Sequence, residues 1–148
     1  MESVEVYTDG GCHGNPGPGG WAFVVAAEGR QTRMKGAQAH TTNNRMELTA
    51  VIRALEYVTE NGLCRGTVRI ITDSQYVKNG ITSWVKSWEK NGWRTSSKQP
   101  VKNKDLWQQL RQLTAECAVS WGWVRGHAGN ELNEACDALV QGAIAELE

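Results

Sequence analysis

Apolar and polar residues alternate along Val4-Glu5-Val6-Tyr7-Thr8 and the run closes on Asp9, the two-residue period of a strand with one buried face. Gly20 to Ala27 and Gln31 to Ala39 read as two further strands. The Gly/Pro-rich run Gly10 to Gly20 joins the first pair, and a turn at Glu28-Gly29 joins the second. The period then lengthens. From Thr42 to Glu60 apolar residues recur at helical spacing, and Val68 to Thr72 returns to a strand. A shorter helical pair from Ser74 to about Trp88 follows, then an irregular polar stretch to Pro100. Lys102 to Glu116 reads as a helix, Ala118 to Val124 as a strand and Asn130 to Leu147 as a closing helix. No internal repeat, low-complexity tract or linker interrupts this order. Three strands followed by strand-helix alternation predict an α/β fold, a mixed sheet with helices on its faces.

A chain of 148 residues fits a single domain, 1–148, large enough to bury roughly two-thirds of its unfolded surface. No apolar run approaches the roughly 18 residues of a membrane span, and nothing ahead of the first strand reads as a signal peptide. Cys12, Cys64, Cys117 and Cys136 show neither metal-ligand spacing nor a CxxC pair. The expectation is a soluble cytoplasmic protein with free thiols, monomeric because no segment reads as a dimerisation seam, and without an obligate protein partner. Sixteen basic and sixteen acidic residues give a formal charge of zero. The balance is local rather than uniform: Lys86, Lys90, Arg94, Lys98, Lys102 and Lys104 face only Glu89 between positions 86 and 104. Trp84, Trp88, Trp93 and Trp107 lie in or beside that segment. Basic groups with aromatic faces suit a nucleic-acid strand. The competing reading is a small tryptophan core with a solvated lysine exterior, which is preferred for Trp88, Trp93 and Trp107; Trp84 is placed on substrate.

Four carboxylates carry the candidate chemistry. Asp9 and Asp73 each close a strand in the dipeptide Thr-Asp, and in α/β sheets ligands collect beyond the carboxyl ends of strands. Either Asp alone could equally cap a helix or turn the chain. On a helix of about 3.6 residues per turn, Glu47 shares the buried stripe of Val51, Ala54, Leu55 and Val58, while Arg45, Thr49, Arg53, Glu56 and Glu60 share the wet face. A buried acid is costly unless it is paired or binds a cation. The other explanation makes Asn44 an N-cap and Glu47 its capping-box partner. Asp137 stands at the margin of the stripe formed by Leu132, Cys136, Leu139, Val140 and Ala143.

Taken together, Tyr7-Thr8-Asp9-Gly10-Gly11-Cys12, Asn43-Asn44-Arg45-Met46-Glu47-Leu48, Thr72-Asp73-Ser74-Gln75-Tyr76-Val77 and Val124-Arg125-Gly126-His127-Ala128-Gly129 followed by Asn133-Glu134-Ala135-Cys136-Asp137 resemble the bacterial type 1 ribonuclease H family. The blocks stand in family order and, with the Trp-rich segment, span essentially the whole chain. The resemblance implies a ribonuclease H-like fold, a five-stranded mixed sheet of three antiparallel and then two parallel strands with helices on both faces. It implies endonucleolytic hydrolysis of the RNA strand of RNA/DNA hybrids, leaving 5′-phosphate and 3′-hydroxyl ends. It assigns Asp9, Glu47, Asp73 and Asp137 as ligands of Mg2+, with Mn2+ a possible substitute and two ions expected with substrate bound. His127 matches the family's mobile histidine, thought to shuttle a proton or assist product release. An imidazole suits that work with an ordinary pKa of about 6.5. His13 and His40 match no catalytic position and read as surface loop residues.

Discrimination of RNA from DNA rests on 2′-hydroxyl contacts. The resemblance places them on Cys12, Asn15, Asn44 and Gln75, with Thr42 and Asn43 near the DNA strand. The basic segment resembles the family's handle on that strand, so Trp84, Lys86, Lys90, Arg94 and Lys98 are the expected contacts. Ser96, Ser97 and Gln99 leave it less densely charged than in strongly basic relatives, which predicts weaker binding and lower salt tolerance. Two other functions fit parts of the pattern: another metal-dependent nuclease, resolvase or transposase-type domain of the superfamily, and a non-catalytic hybrid-binding module. The handle and the Gly-His-Ala-Gly loop weigh against the first. The retention of all four acids weighs against the second.

Overall fold

A computed structural model describes residues 4–95, 97–123 and 131–147. Strand β1 (Val4–Cys12) is central, flanked by β2 (Gly17–Ala27) and then β3 (Arg30–Thr41) on one side and by β4 (Val68–Thr72) and β5 (Val119–Trp123) on the other. The first three pair antiparallel and β1, β4 and β5 run parallel. The five-stranded mixed sheet is therefore as the residues and the resemblance led us to expect. Strand β1 runs three residues past Asp9 because Gly10, Gly11 and Cys12 keep pairing, with Trp21, Gly20 and Gly19.

The two-residue period decides which helix covers which face. Phe23 and Val25 of β2 turn into a large core shared with Val6, Ile70 and the stripe of α1 (Asn43–Glu60), while Ala22, one residue before Phe23, meets Val140 and Ile144 of α5 (Glu131–Ala145) on the opposite face. Helix α4 (Lys104–Glu116) lies beside α1 and contributes fully buried Trp107 and Leu110. Between β4 and α4 the chain forms α2 (Gln75–Asn79), a π-helical turn (Gly80–Trp84) and α3 (Val85–Lys90). The π turn lets Gly80 lie against Trp107, where any Cβ would overlap the indole ring. Trp88 and Trp93 pack on the same core, leaving Trp84 as the exposed tryptophan of the segment at 37%.

Two sequence expectations need correcting. Thr49 is buried rather than wet, because α4 covers that part of α1; its hydroxyl donates to the Arg45 carbonyl at 2.7 Å. The expectation of four free thiols also fails: Cys64 and Cys117 form a disulfide across 53 residues, with Cα atoms 5.5 Å apart, and only Cys12 and Cys136 are free. The pairing follows from topology. Cys64 leads into β4 and Cys117 into β5, and these parallel neighbours start side by side, with the Val68 amide donating to the Ala118 carbonyl at 2.8 Å. Closing so long a loop restricts the unfolded chain by about 2–4 kcal/mol. Reduction is expected to lower Tm by roughly 5–15 °C. Thermal melts with and without reductant check this, and a Cys64→Ser/Cys117→Ser variant should be insensitive to reductant.

Candidate active site

The parallel register Tyr7↔Ile71 carries two residues further to Asp9 beside Asp73 at the carboxyl ends of neighbouring strands. Helix α1 supplies the third acid. Thr42 is its N-cap, the hydroxyl accepting from the Arg45 amide at 3.2 Å, so Asn44 lies inside the helix and Glu47 too far along to be a capping-box partner. Glu47 is instead carried inward against β1. Gly10 permits the approach, since a Cβ there would overlap the Glu47 amide and the Met46 carbonyl. Gly10→Ala therefore has to push α1 off β1. Overpacking of this kind costs roughly 1–3 kcal/mol, and because the displaced backbone carries Glu47, activity should fall further than stability. Chemical denaturation beside steady-state kinetics separates the two.

Asp9, Glu47 and Asp73 each offer a carboxylate oxygen, all within 4.8 Å of one another. Asp9 is 5% and Glu47 7% exposed. Burial foremost, then the charges of Asp9 and Asp73, push the Glu47 carboxyl well above the usual carboxylate range; hydrogen bonds from the Gly10 backbone and the Ser74 side chain pull weakly the other way. The Ser74 hydroxyl is fixed for that task because it also accepts the Val77 amide at 3.1 Å, capping α2. Glu47 Oε1 has no hydrogen-bond partner among the described residues. A buried, unpartnered carboxylate oxygen beside two further carboxylates is a poor arrangement for protein alone and a fitting one for a hard divalent cation, which takes oxygen ligands.

Asp137 is half-buried on α5 and stands outside this group of three. Its neighbour Cys136 is fully buried and donates to the Tyr7 carbonyl at 3.4 Å, anchoring α5 to the strand that carries Asp9. Burial, with the Asp9 charge, pushes that thiol to about 12, so it acts as a protonated structural donor. His127 lies outside the described residues.

The Asn43 amide donates to Asn15 Oδ1 at 3.2 Å, tying the Gly/Pro loop to the start of α1, and Asn43, Asn44 and Gln75 are exposed. The Cys12 thiol lies within reach of the Gly17 and Thr41 carbonyls at 3.3 and 3.4 Å, so its proton is engaged inside the fold. His13 is not idle: its Nε2 lies 2.8 Å from Gln141 Oε1 on α5. Lys86, Lys90, Arg94 and Lys98 are exposed, and the same segment holds an apolar groove of about 620 Å³ lined by Tyr76, Trp84, Trp88, Pro100 and Lys102.

Sequence reasoning missed the polar links beneath this groove. Arg45, assigned to the wet face, forks onto Asp105 at 3.1 and 2.9 Å and also donates to Asn103 Oδ1 at 3.1 Å. Asn103 Nδ2 and Trp107 Nε1 both donate to the Tyr76 hydroxyl, at 3.1 and 2.9 Å. The only sequence signal was an isolated acid, Asp105, at the end of the basic segment.

The ribonuclease H family model matches residues 1–145. Ribonuclease H of Nitrosococcus oceani is 52% identical over 147 residues, covering 99% of this chain and 97% of its own length. The structure of LC9-RNase H1 superposes with a TM-score of 0.86 at 36% identity, covering all of this chain and 74% of that one. LC11-RNase H1, solved in complex with an RNA/DNA hybrid, superposes with a TM-score of 0.76 at 27% identity, covering 97% of this chain and 98% of its own.

Proposed function

The chain belongs to the ribonuclease H family, and on that premise we propose that it cuts the RNA strand of RNA/DNA hybrids internally at the Asp9–Glu47–Asp73 cluster, using two Mg2+ ions and leaving 5′-phosphate and 3′-hydroxyl ends. The observation that carries this reading is the cluster itself, three carboxylates within 4.8 Å of one another, one of them with a buried unpartnered oxygen. Asp9, Glu47 and Asp73 would hold the metal, with Asp137 completing the set from α5. When bound, Mg2+ ions supply an activated water and charge stabilisation for the departing 3′-oxygen. Mn2+, which carboxylate ligands also suit, is expected to substitute.

The chain's own residues do the rest. Glu47 would hold a cation as the carboxylate, the form that hydrogen bonds from the Ser74 side chain and the Gly10 backbone favour. His127 is assigned a proton transfer during turnover or product release. Asn15, Asn44 and Gln75 can each donate to and accept from a 2′-hydroxyl, and Cys12 can offer its sulfur as an acceptor while its proton stays engaged. Thr42 and Asn43, together with the groove under Trp84 and the charges of Lys86, Lys90, Arg94 and Lys98, receive the DNA strand. Oligomerisation is not needed to complete the site, and we take the enzyme to act as a monomer. No described helix is long and apolar enough to cross a membrane. We place the protein in the cytoplasm, where its substrate forms; the Cys64–Cys117 bond is the one feature that pulls against that placement, since disulfides are rare there.

End-labelled RNA/DNA, RNA/RNA and DNA/DNA duplexes and single-stranded RNA, each with Mg2+ and with EDTA, test the proposal. Cutting should be confined to RNA in the hybrid and vanish in EDTA. Hybrid binding without cutting would transfer the chain to the binding-module reading, and cutting of DNA/DNA would transfer it to another nuclease class.

A further inference from the structure

We propose that Arg45, Asp105, Asn103 and Tyr76 form a positioning clamp that fixes the basic handle relative to the carboxylate cluster, and so sets how far along the hybrid the cut falls from the place where the DNA strand is gripped. The inference rests on the hybrid-cleaving reading above and concerns side-chain links that reading does not use.

The handle leaves the body of the protein after the π turn at Trp84 and returns at Asn103, where α4 begins. Both of its ends are tied to one side chain, Tyr76. Tyr76 packs edge-on against Trp84, ring centroids 5.6 Å apart, at the departing end, and its hydroxyl accepts from Asn103 at the returning end. A second donor, buried Trp107 on α4, reaches the same oxygen. Because an amide and an indole N–H can only donate here, the hydroxyl is held from two sides by groups on one helix and its approach.

The same unit is fastened to the cluster. Tyr76 lies three residues after Asp73, and Arg45 two residues before Glu47 on the rigid first turns of α1. Asn103 is the junction: its Oδ1 accepts from Arg45 and its Nδ2 donates to Tyr76. This residue stands at the N-cap of α4, where an Asn side chain ordinarily caps the helix, yet it makes no capping bond and adopts a left-handed backbone with φ of 60°. Its side chain is given over to the link between α1 and α2, while its backbone carbonyl starts α4 by accepting from the Leu106 and Trp107 amides, both at 3.0 Å. The bidentate fork of Arg45 on Asp105 fixes the same junction from the α1 side, with a geometry a lysine cannot reproduce.

Stability alone does not account for the pair. The Arg45 and Asp105 side chains are 34% and 65% exposed, and exposed ion pairs contribute little to folding. Asp105 is also an unfavourable charge to set beside a segment that binds a polyanion. Electrostatics and positioning therefore predict opposite signs. Removing the Asp105 charge should tighten hybrid binding if the acid is only a surface charge, and should weaken and blur it if the acid holds the clamp.

The test uses the full chain with Asp105→Asn, Arg45→Lys and the double variant. Measured are KM and kcat, hybrid affinity in EDTA by anisotropy, and single-hit cut positions on a hybrid with one blunt end. The clamp predicts KM and the dissociation constant raised by about 3–10-fold in each single variant and no further in the double variant. It also predicts kcat within about 2-fold of wild type and cutting spread onto neighbouring linkages. An unchanged cut pattern with equal or tighter binding overturns the clamp while leaving the hybrid-cleaving reading intact. A loss confined to kcat overturns it equally. A wild-type chain that fails to cut hybrid removes the premise and the clamp with it, an outcome read from the control before any variant is compared.

Discussion

Asp73→Asn is expected to lower hybrid cleavage by on the order of 10³-fold or more, while hybrid binding stays within a few-fold of wild type. Asparagine keeps the shape and one oxygen but removes a charge from a site where three carboxylates meet within 4.8 Å. A cation held in place of solvent contributes several kcal/mol of charge stabilisation to phosphodiester cleavage, and each loss of about 1.4 kcal/mol is a factor of ten in rate. Binding is supplied by other residues, those around α1's start and along the handle, which the substitution leaves alone. The metal-free variant should also melt slightly higher than wild type, because a charge set beside Asp9 and the buried Glu47 is gone. Single-turnover cleavage, anisotropy in EDTA and a thermal melt together distinguish this from a misfolded variant, which would lose all three.

A second large effect should appear in the metal-free protein as pH rises. Unfolded, Glu47 loses its proton near the ordinary carboxyl value of 4.5; folded, burial and the neighbouring Asp9 and Asp73 hold the proton on to a much higher pH. Between those limits the native state binds more protons than the unfolded state, so stability is greatest below the ordinary value and falls as pH climbs through the raised one. The slope owed to one such proton is about 1.4 kcal/mol per pH unit, or roughly 3–5 °C of Tm in a domain of this size. Glu47→Gln carries no such proton, and its melting curve should be flatter by that amount. Mg2+ should raise wild-type Tm increasingly toward high pH, where the carboxylate is already free to bind, and should do so much less in the variant. Parallel slopes for wild type and Glu47→Gln in EDTA would refute this account of the buried acid.

Much of the fold was legible because hydrophobic period maps directly onto a covered face. The alternation in Val4 to Thr8 and the stripe of Val51, Ala54, Leu55 and Val58 each place their residues in the core, and the same stripe carries Glu47 inward. What the period cannot reveal is partnership across the chain. Arg45 and Asp105 are 60 residues apart and Cys64 and Cys117 are 53 apart, and no local pattern marks either pair. Local chemistry also misled at two points. Asn44 looked like a cap, but Thr42 lies where the chain leaves β3 in an extended conformation and so takes the role. Thr49 looked solvated on a helical wheel, but a second helix covers that side. At the site, the carboxyl ends of two parallel strands were readable as a ligand position, whereas the convergence of Glu47 on them depended on Gly10 admitting the α1 backbone.

Metal held by Asp9, Glu47 and Asp73 would act on the scissile phosphate of RNA in a hybrid. The most direct measurement uses a hybrid carrying one phosphorothioate of defined stereochemistry at a single RNA linkage, cut in Mg2+ and in the softer Mn2+ or Cd2+. Sulfur is a poor ligand for a hard cation and a better one for a soft cation. The account predicts that one diastereomer is cut far more slowly than the phosphate in Mg2+ and that Mn2+ or Cd2+ restores it. Cutting of both diastereomers at the phosphate's rate in Mg2+, or equal slowing that no softer ion relieves, would contradict it.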